Sequence, residues 1–188
     1  AFYPPSGVII DPDTLSTLSE RQISNGLAEA LKMSMTSDSE LFGIFENEDI
    51  YGNIDVIIER SVKIKRAVVE RDEKESGLRK ILNFGHTIAH AIESQNDMRG
   101  LYHGECVAIG MIPMCSEPVR ERLIPILKKL RLPTGTEIDP DRLINAMRHD
   151  KKIAGDEITV IYVSQIGSCE MKTVPFEQFA GEIKEIFR

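Results

Sequence analysis

The chain has 188 residues, 41% hydrophobic and 28% charged, which is the composition of a globular protein with one packed core. The formal net charge is −7, so the overall field repels nucleic acid and anionic membranes, and we expect neither as a partner. The absence of Trp argues against a stacking surface for bases or sugars.

The N-terminal part predicts short elements separated by turns. Residues 8–10 form an apolar run that predicts an edge strand, and residues 11–13 predict a turn or a helix start. A short helix around Leu15 is expected to end at the Asn-Gly pair of residues 25–26.

Helical spacing of apolar residues dominates the rest of the chain. The predicted helices cover residues 27–33, 40–46, 50–73, 78–93, 103–116, 119–130, 139–149 and 176–187. The helix at 103–116 is apolar almost all round and is expected to be buried, with an end or kink at Glu117 and Pro118. Asp139 is the predicted N-cap of its helix, with Pro140 at the first helical position.

Approximate alternation of apolar and polar residues predicts two strands, at 157–163 and 168–174, joined by a turn at 165–167. We therefore predict a mainly α fold, a multi-helix domain with one small β-hairpin near residues 157–174. Residues 1–188 are expected to form a single domain.

The cysteines and the N-terminus bear on location. Cys106, Cys115 and Cys169 are odd in number and form no C-x-x-C pair, which argues against a disulfide framework and favours a reducing, cytoplasmic compartment. Residues 1–5 lack Met and any signal-peptide pattern, so we expect a chain cut from a longer protein.

A polar stripe is predicted on the helix at 78–93. Arg79, Asn83, His86 and His90 fall at i, i+4, i+7 and i+11, offsets that share one side of an α-helix. A solvated face usually carries Lys, Glu and Gln, so this set favours a metal-centred site for an anionic substrate. Gly85 costs this helix roughly 1 kcal/mol relative to Ala, which indicates a close approach by another backbone or a ligand.

The H-x-x-x-H pattern of His86 and His90 sets two imidazoles one turn apart, as zinc sites require. It lacks the Glu of the metalloprotease pattern and needs a third ligand. His103, at the start of the next helix, is a candidate, although a capping or surface role stays open. Glu29 and Lys32 have the spacing of a simple ion pair, and Lys65 has no feature of its own.

Five blocks around these residues resemble 3-dehydroquinate synthase in order and spacing. They are A-E-A-L-K at 28–32, D-E-K-E-S-G-L-R at 72–79, L-N-F-G-H-T-I-A-H-A-I-E at 82–93, H-G-E-C-V-A-I-G-M at 103–111 and D-K-K at 150–152. The third and fourth blocks are highly specific for that enzyme and its sugar-phosphate cyclase relatives, and the resemblance covers essentially the whole chain.

The resemblance implies a helical metal- and substrate-binding domain whose N-terminal NAD-binding domain is absent; the chain has no G-x-G-x-x-G motif. It implies Zn²⁺ or Co²⁺ ligation by Glu29, His86 and His103, which moves His90 from the metal to the substrate. The implied substrate-binding residues are Lys32, Lys65, Arg79, Asn83, His90, Lys151 and Lys152; His90, Lys32 and Asn83 are also implied catalytic residues. Nothing in the resemblance identifies a residue of this chain that contacts NAD.

The implied reaction converts 3-deoxy-D-arabino-heptulosonate 7-phosphate to 3-dehydroquinate, with loss of phosphate, in the shikimate pathway. In the family NAD oxidises one carbinol transiently and is regenerated. The resemblance implies a homodimeric full-length enzyme, and this chain alone is expected to bind metal without turnover.

Three alternatives are weighed. A related cyclase, such as 2-deoxy-scyllo-inosose synthase, would share the fold and the metal. A metal phosphohydrolase of the HD type is suggested by His149 and Asp150, but the required upstream His and downstream Asp are missing. A helical binding module without catalysis would differ by holding no divalent metal.

Overall fold

The fold is mainly helical, as predicted, with a small antiparallel sheet near the C-terminus. The computed structural model describes residues 6–74, 77–95, 100–148, 153–154 and 156–187. The helices are α1 Glu20–Ser37, α2 Ser39–Asn47, α3 Ile54–Arg71, α4 His86–Gln95, α5 His103–Met111, α6 Glu117–Lys129, α7 Pro140–Arg148 and α8 Phe176–Ile186, with 3₁₀ helices at Pro12–Thr17 and Leu78–Asn83. The strands are β1 Ile153–Ala154, β2 Glu157–Gln165 and β3 Ser168–Pro175.

The sheet has the order β1-β2-β3, and both pairings are antiparallel. The predicted hairpin is therefore confirmed, and the short strand β1 is an addition that the sequence pattern missed. The hairpin turn contains Gly167, whose φ of 86° is a backbone conformation that favours glycine. The amide of Gly167 donates to the carbonyl of Met35 at 2.9 Å, which ties the hairpin to the end of α1.

Helix α5 lies at the centre of the core, and every residue after its first one is buried. Helices α1 and α4 both pack against it. The approach of α4 is closest where Gly85 meets Gly110, because a Cβ on Gly110 would lie 2.1 Å from the Gly85 carbonyl oxygen. Although α5 is apolar, neither it nor any other helix in the described ranges combines the length and hydropathy needed to cross a membrane.

The segment after α5 joins the helical layer to the sheet. The amide of Val163 in β2 donates to Met114, and the amide of Ser116 donates back to Val163, each at 3.0 Å. The buried helix predicted over residues 103–116 is therefore wrong in its length, because it stops at Met111. Pro118 does not end that helix but occupies the first turn of α6, where its missing N–H costs nothing.

The N-terminal predictions need two corrections. Residues 8–10 form no strand, and their side chains are exposed; Ile9 is 96% accessible. The Asn-Gly pair at 25–26 does not break a helix, since α1 continues through it. The packing of this pair against the start of α5 outweighs the low helix propensity of Asn and Gly. The helix start predicted at residues 11–13 is confirmed, with Asp11 accepting from the Asp13 amide.

The helix predicted over residues 78–93 is also wrong, because it is two elements. A 3₁₀ helix, Leu78–Asn83, is followed by a turn at Phe84 and Gly85, and α4 begins at His86. Gly85 has a φ of 76°, which no α-helix accommodates. The remaining predicted helices are confirmed within a few residues, and Asp139 caps α7 by accepting from the Asp141 amide at 2.9 Å.

Candidate metal and substrate site

Three side chains from three helices converge at one point of the structure. Glu29 comes from the middle of α1, while His86 and His103 are the first residues of α4 and α5. One ligand atom from each of the three lies within 4.8 Å of the others. Nε2 of His103 is 3.5 Å and Nε2 of His86 is 3.8 Å from Oε1 of Glu29. A divalent ion placed between these atoms would have two imidazoles and one carboxylate as ligands, a set that catalytic zinc sites use.

The Glu29 carboxylate has one engaged oxygen and one orphaned oxygen. Oε2 accepts from Nζ of Lys32 at 2.7 Å. Oε1 is buried and has no hydrogen-bond partner among the residues that the structure describes. An unpaired buried oxygen costs free energy, and a cation bound at Oε1 removes that cost. The residues present therefore fit a divalent metal ion.

Lys32 holds the Glu29 carboxylate in place by a hydrogen bond. Its side chain is only 3% exposed, and Nζ donates both to Glu29 and to the carbonyl of Leu82, the latter at 2.6 Å. Burial lowers the pKa of Lys32 despite the attraction of Glu29. Burial also acts to raise the pKa of Glu29, but the Lys32 charge and hydrogen bond outweigh it and hold that pKa below its ordinary value. Glu29 is thus an ionised ligand at neutral pH.

His86 is held neutral and correctly oriented. Its Nδ1 lies 3.1 Å from the carbonyl of Phe84, which accepts and so requires the proton on Nδ1. Nε2 is left with its lone pair facing Glu29. Burial, with the nearby Lys32 charge, lowers the pKa of His86 to about 4. A neutral imidazole with a free Nε2 is the form that binds a metal.

His103 is oriented from its other side by an acidic residue that the sequence patterns did not single out. Oε1 of Glu93, in α4, lies 2.7 Å from Nδ1 of His103. This is the carboxylate–histidine arrangement that commonly supports metal ligands. Glu93 closes the block at 82–93, and its spacing of ten residues from His103 across a loop gave no signal of contact.

The four residues predicted to share one helix face lie on two elements instead. Arg79 and Asn83 belong to the 3₁₀ helix, and His86 and His90 to α4. His90 still stacks edge-on against His86, with ring centroids 5.5 Å apart, and it is exposed beside the ligand. The predicted stripe was therefore wrong in its geometry, although its histidines are neighbours.

The other predicted substrate residues surround this point to different degrees. Asn83 follows Leu82, whose carbonyl accepts from Lys32, and is half-buried. Lys65 is exposed on α3 and is close enough for its charge to lower the pKa of Lys32. The guanidinium of Arg79 donates to the carbonyl of Glu73 at 3.0 Å. Lys151 and Lys152, like His149 and Asp150, lie outside the described residues.

Comparison with known families identifies this arrangement. The family described as 3-dehydroquinate synthase C-terminal matches residues 26–153, which include Glu29, His86 and His103. The chain belongs to this family. The expectation drawn from the five sequence blocks is confirmed.

Curated 3-dehydroquinate synthases are similar along almost the whole chain. The protein from Enterococcus faecalis is 40% identical over 191 residues, which cover 94% of this chain and 53% of that protein. The protein from Campylobacter concisus is 39% identical over 183 residues, covering 92% and 53%. The chain thus spans about half the length of the curated relatives that it matches.

Solved structures of sugar-phosphate cyclases share the fold of this family member. A 2-epi-5-epi-valiolone synthase from Streptomyces hygroscopicus, solved with NAD⁺ and Zn²⁺, superposes with a TM-score of 0.86 at 24% identity, over 99% of this chain and 57% of that one. A 2-deoxy-scyllo-inosose synthase complexed with carbaglucose-6-phosphate, NAD⁺ and Co²⁺ has a TM-score of 0.77 at 24% identity, over 98% and 57%. The predicted helical architecture is therefore confirmed.

Proposed function

We propose that this chain is the metal- and substrate-binding part of a 3-dehydroquinate synthase. The proposed reaction converts 3-deoxy-D-arabino-heptulosonate 7-phosphate to 3-dehydroquinate with elimination of phosphate. The proposal rests on the buried Oε1 of Glu29, which faces Nε2 of both histidines and has no hydrogen-bond partner among the described residues, within a chain of this family. The 40% identity to a 3-dehydroquinate synthase favours this activity over that of the cyclases at 24%.

Glu29, His86 and His103 would hold the Zn²⁺ or Co²⁺ ion. The ion would supply Lewis-acid activation of a substrate hydroxyl, and NAD would supply a reversible hydride transfer. The chain's own contribution is preorganisation, because Phe84, Glu93 and Lys32 already hold the three ligands in place. Little reorientation of the ligands is then needed when the ion and substrate bind.

Cationic side chains would bind the two anionic groups of the substrate. Lys32, Lys65 and Arg79 are the proposed partners among the described residues, together with Lys151 and Lys152. Ammonium and guanidinium groups neutralise phosphate and carboxylate, which the overall charge of −7 would otherwise repel. Lys32 also keeps Glu29 ionised. The same positive charge would therefore stabilise both the Glu29 carboxylate and an anionic group of the substrate.

Asn83 and His90 would orient the sugar and move protons. Asn83 offers an amide donor and acceptor next to the Lys32 contact at Leu82. His90 is exposed against the edge of His86, so it can exchange a proton with a bound hydroxyl without ligating the ion. General acid–base catalysis requires a titratable group within hydrogen-bonding reach of that hydroxyl.

The NAD side of the reaction would come from the N-terminal half of a longer protein. The relatives are about twice as long as this chain, and the length that they have beyond it is ample for a nucleotide-binding domain. We place the enzyme in the cytoplasm, which suits the free thiols of Cys106, Cys115 and Cys169. We also propose that the full-length enzyme is a homodimer, which sedimentation of that protein tests.

Two measurements test the function. The first is metal binding by this chain alone, from zinc titration against a chromogenic chelator; His86→Ala should abolish it. The second is phosphate release by a fusion that places the N-terminal half of the Enterococcus faecalis relative before this chain. We expect release from the heptulosonate phosphate that requires both NAD and metal, with none from the chain alone.

Three results would contradict the proposal. A chain that holds no divalent metal at the site refutes the ligand assignment. A fusion that binds NAD and zinc but acts on a hexose phosphate instead indicates a 2-deoxy-scyllo-inosose synthase. Turnover by the chain alone would refute the need for a second half.

A further inference from the structure

His103 is the least enclosed of the three proposed ligands. Its side chain is 46% exposed, against 12% for His86 and 31% for Glu29. Packing therefore restricts the His103 ring less than the other two, and its placement depends on how the backbone of its helix is held. The first turn of α5, which carries His103, is bound to α1 by two polar side chains.

Arg21 forms the first of these attachments. Its Nε and terminal nitrogen donate to Oε1 and Oε2 of Glu105 at 2.6 and 2.7 Å, a two-point contact with an almost fully buried carboxylate. The same nitrogen also donates to the carbonyl of Gly100 at 2.8 Å. Oε2 of Glu105 accepts from the amide of Tyr102, as in a capping box. This hydrogen bond links Tyr102 and Glu105, which lie on either side of His103 in the chain.

Asn25 forms the second attachment. Its Oδ1 accepts from the amide of Gly104 at 2.6 Å, directly after His103 in the chain. The backbones also touch here, because a Cβ on Gly104 would lie 2.0 Å from the Asn25 carbonyl oxygen. A side chain at position 104 would push the start of α5 away from α1.

These attachments share a helix face with a metal ligand. Arg21, Asn25 and Glu29 follow one another at i, i+4 and i+8 in α1, so three successive turns of one helix face the start of α5. The third of these residues is Glu29, whose Oε1 lies 3.5 Å from Nε2 of His103. Any shift of α5 along α1 therefore changes this distance directly.

We propose that Arg21 and Asn25 are positioning residues of the metal site, which set the distance from His103 to Glu29 through the first turn of α5. This inference rests on the proposed metal-binding function. Groups that hydrogen-bond directly to a metal ligand usually contribute 10- to 100-fold to metal affinity, and Arg21 and Asn25 act one contact further from the ion. A merely structural ion pair would change stability and leave the ligand geometry intact.

The chain offers a matched control for Arg21. Arg122 in α6 makes the same two-point contact with Glu46 of α2, at 2.7 and 2.9 Å, and also lies over an aromatic ring. Arg21 lies over Tyr102 in the same way, and the two guanidinium side chains are similarly exposed, at 50% and 48%. Arg122 touches no residue of the metal site among its described contacts. Arg122→Gln thus removes a similar two-point contact elsewhere, with a carboxylate that is 28% exposed compared with 7% for Glu105.

The experiment measures Co²⁺ affinity and the visible Co²⁺ absorption of the 188-residue chain, with thermal unfolding recorded for each variant. We expect Arg21→Gln and Asn25→Ala to weaken Co²⁺ binding by up to about tenfold, the lower end of the range for direct partners, and to alter the absorption spectrum. Arg122→Gln should stay within twofold of the wild type with an unchanged spectrum. Asn25→Asp keeps the accepting oxygen and should restore most of the affinity.

The outcomes separate this inference from the function on which it rests. A wild-type chain that binds no Co²⁺ overturns the metal site itself. A wild-type chain that binds, with Arg21→Gln and Asn25→Ala equal to it in affinity and spectrum, overturns only the positioning role. Equal losses of Co²⁺ affinity in Arg21→Gln and Arg122→Gln would also overturn the positioning role. If Arg21→Gln does not fold, the comparison of Asn25→Ala with Asn25→Asp decides the question.

Discussion

Glu93 and His103 join α4 to α5 through a single hydrogen bond of 2.7 Å between Oε1 and Nδ1. The bond fixes the tautomer, because a carboxylate accepts and so places the proton on Nδ1. Nε2, on the opposite side of the ring, is then free to bind a cation beside Glu29. A carboxylate outside the ligand set thus decides which nitrogen of His103 is available.

Replacing Glu93 should weaken metal binding without removing a ligand. We expect Glu93→Ala to reduce zinc affinity roughly 10- to 100-fold, since the ring loses its orienting partner. Glu93→Gln keeps an oxygen acceptor without the charge, so its zinc affinity should lie between those of the wild type and Glu93→Ala. Glu70→Ala, which removes an exposed carboxylate paired with Arg66 on α3, is the control. Competition with a chelator measures the affinities, and an unaltered affinity in Glu93→Ala would exclude this role.

The low pKa of His86 predicts a pH dependence of stability in the metal-free chain. The pKa of His86 is about 4 in the folded protein and takes its ordinary value of 6.5 in the unfolded chain. The unfolded chain therefore binds more protons between pH 4 and pH 6.5. The stabilising contribution is thus complete above pH 6.5 and is lost as the pH falls towards 4. We expect the urea midpoint, measured with chelator, to fall less over this range in His86→Asn than in the wild type. Parallel curves for the two proteins would contradict the assigned shift.

Lys32 should matter for folding as well as for the site. Lys32→Met leaves the Glu29 carboxylate and the Leu82 carbonyl without their donor. We expect a loss of about 2 kcal/mol in the free energy of unfolding, because both acceptors are at least partly buried. The exposed Lys63–Glu59 pair on α3 offers a comparison, and Lys63→Met should have a much smaller effect because solvent screens the pair. Urea unfolding of the metal-free proteins measures both, and equal effects would refute the importance of burial.

The contact between Gly85 and Gly110 should not accept a methyl group. Gly110→Ala places a Cβ 2.1 Å from a backbone oxygen, so α4 and α5 must separate. We expect a loss of more than about 2 kcal/mol in unfolding free energy and weaker zinc binding, because the two helices carry His86 and His103. In α2, Gly43→Ala meets open space and should instead stabilise by roughly 0.5 kcal/mol. A tolerated Gly110→Ala would show that the helices separate freely.

Sequence patterns predicted the fold well where one helix face is apolar. Periodicity locates helices α2, α3, α6 and α8 and the hairpin of β2 and β3, because most of their apolar residues keep the helical or alternating spacing. The error at residues 78–93 has a physical cause. Spacing continues through Gly85, and only the positive φ of that residue, which no spacing reveals, divides the segment.

Sequence patterns singled out the three candidate ligands and Lys32, but they missed the other residues that hold the candidate ligands in place. Glu29, His86 and His103 were singled out by their blocks, and they do lie together. Arg21, Asn25 and Glu93 were missed, because a lone Arg, Asn or Glu has the same appearance as a solvated surface residue. Their partners are separated by 84, 79 and 10 positions, and such pairings exist only once the helices have packed.

Both imidazoles come from the first residue of a helix, His86 from α4 and His103 from α5. The oriented peptide dipoles at a helix start amount to about half a positive charge, and here two such ends converge. These helix starts oppose a bound cation, and the ionised carboxylate of Glu29 offsets them. They also create a local positive potential inside a protein whose total charge is −7. The anionic substrate that we propose would thus be attracted to this region by backbone dipoles, which no side-chain substitution removes.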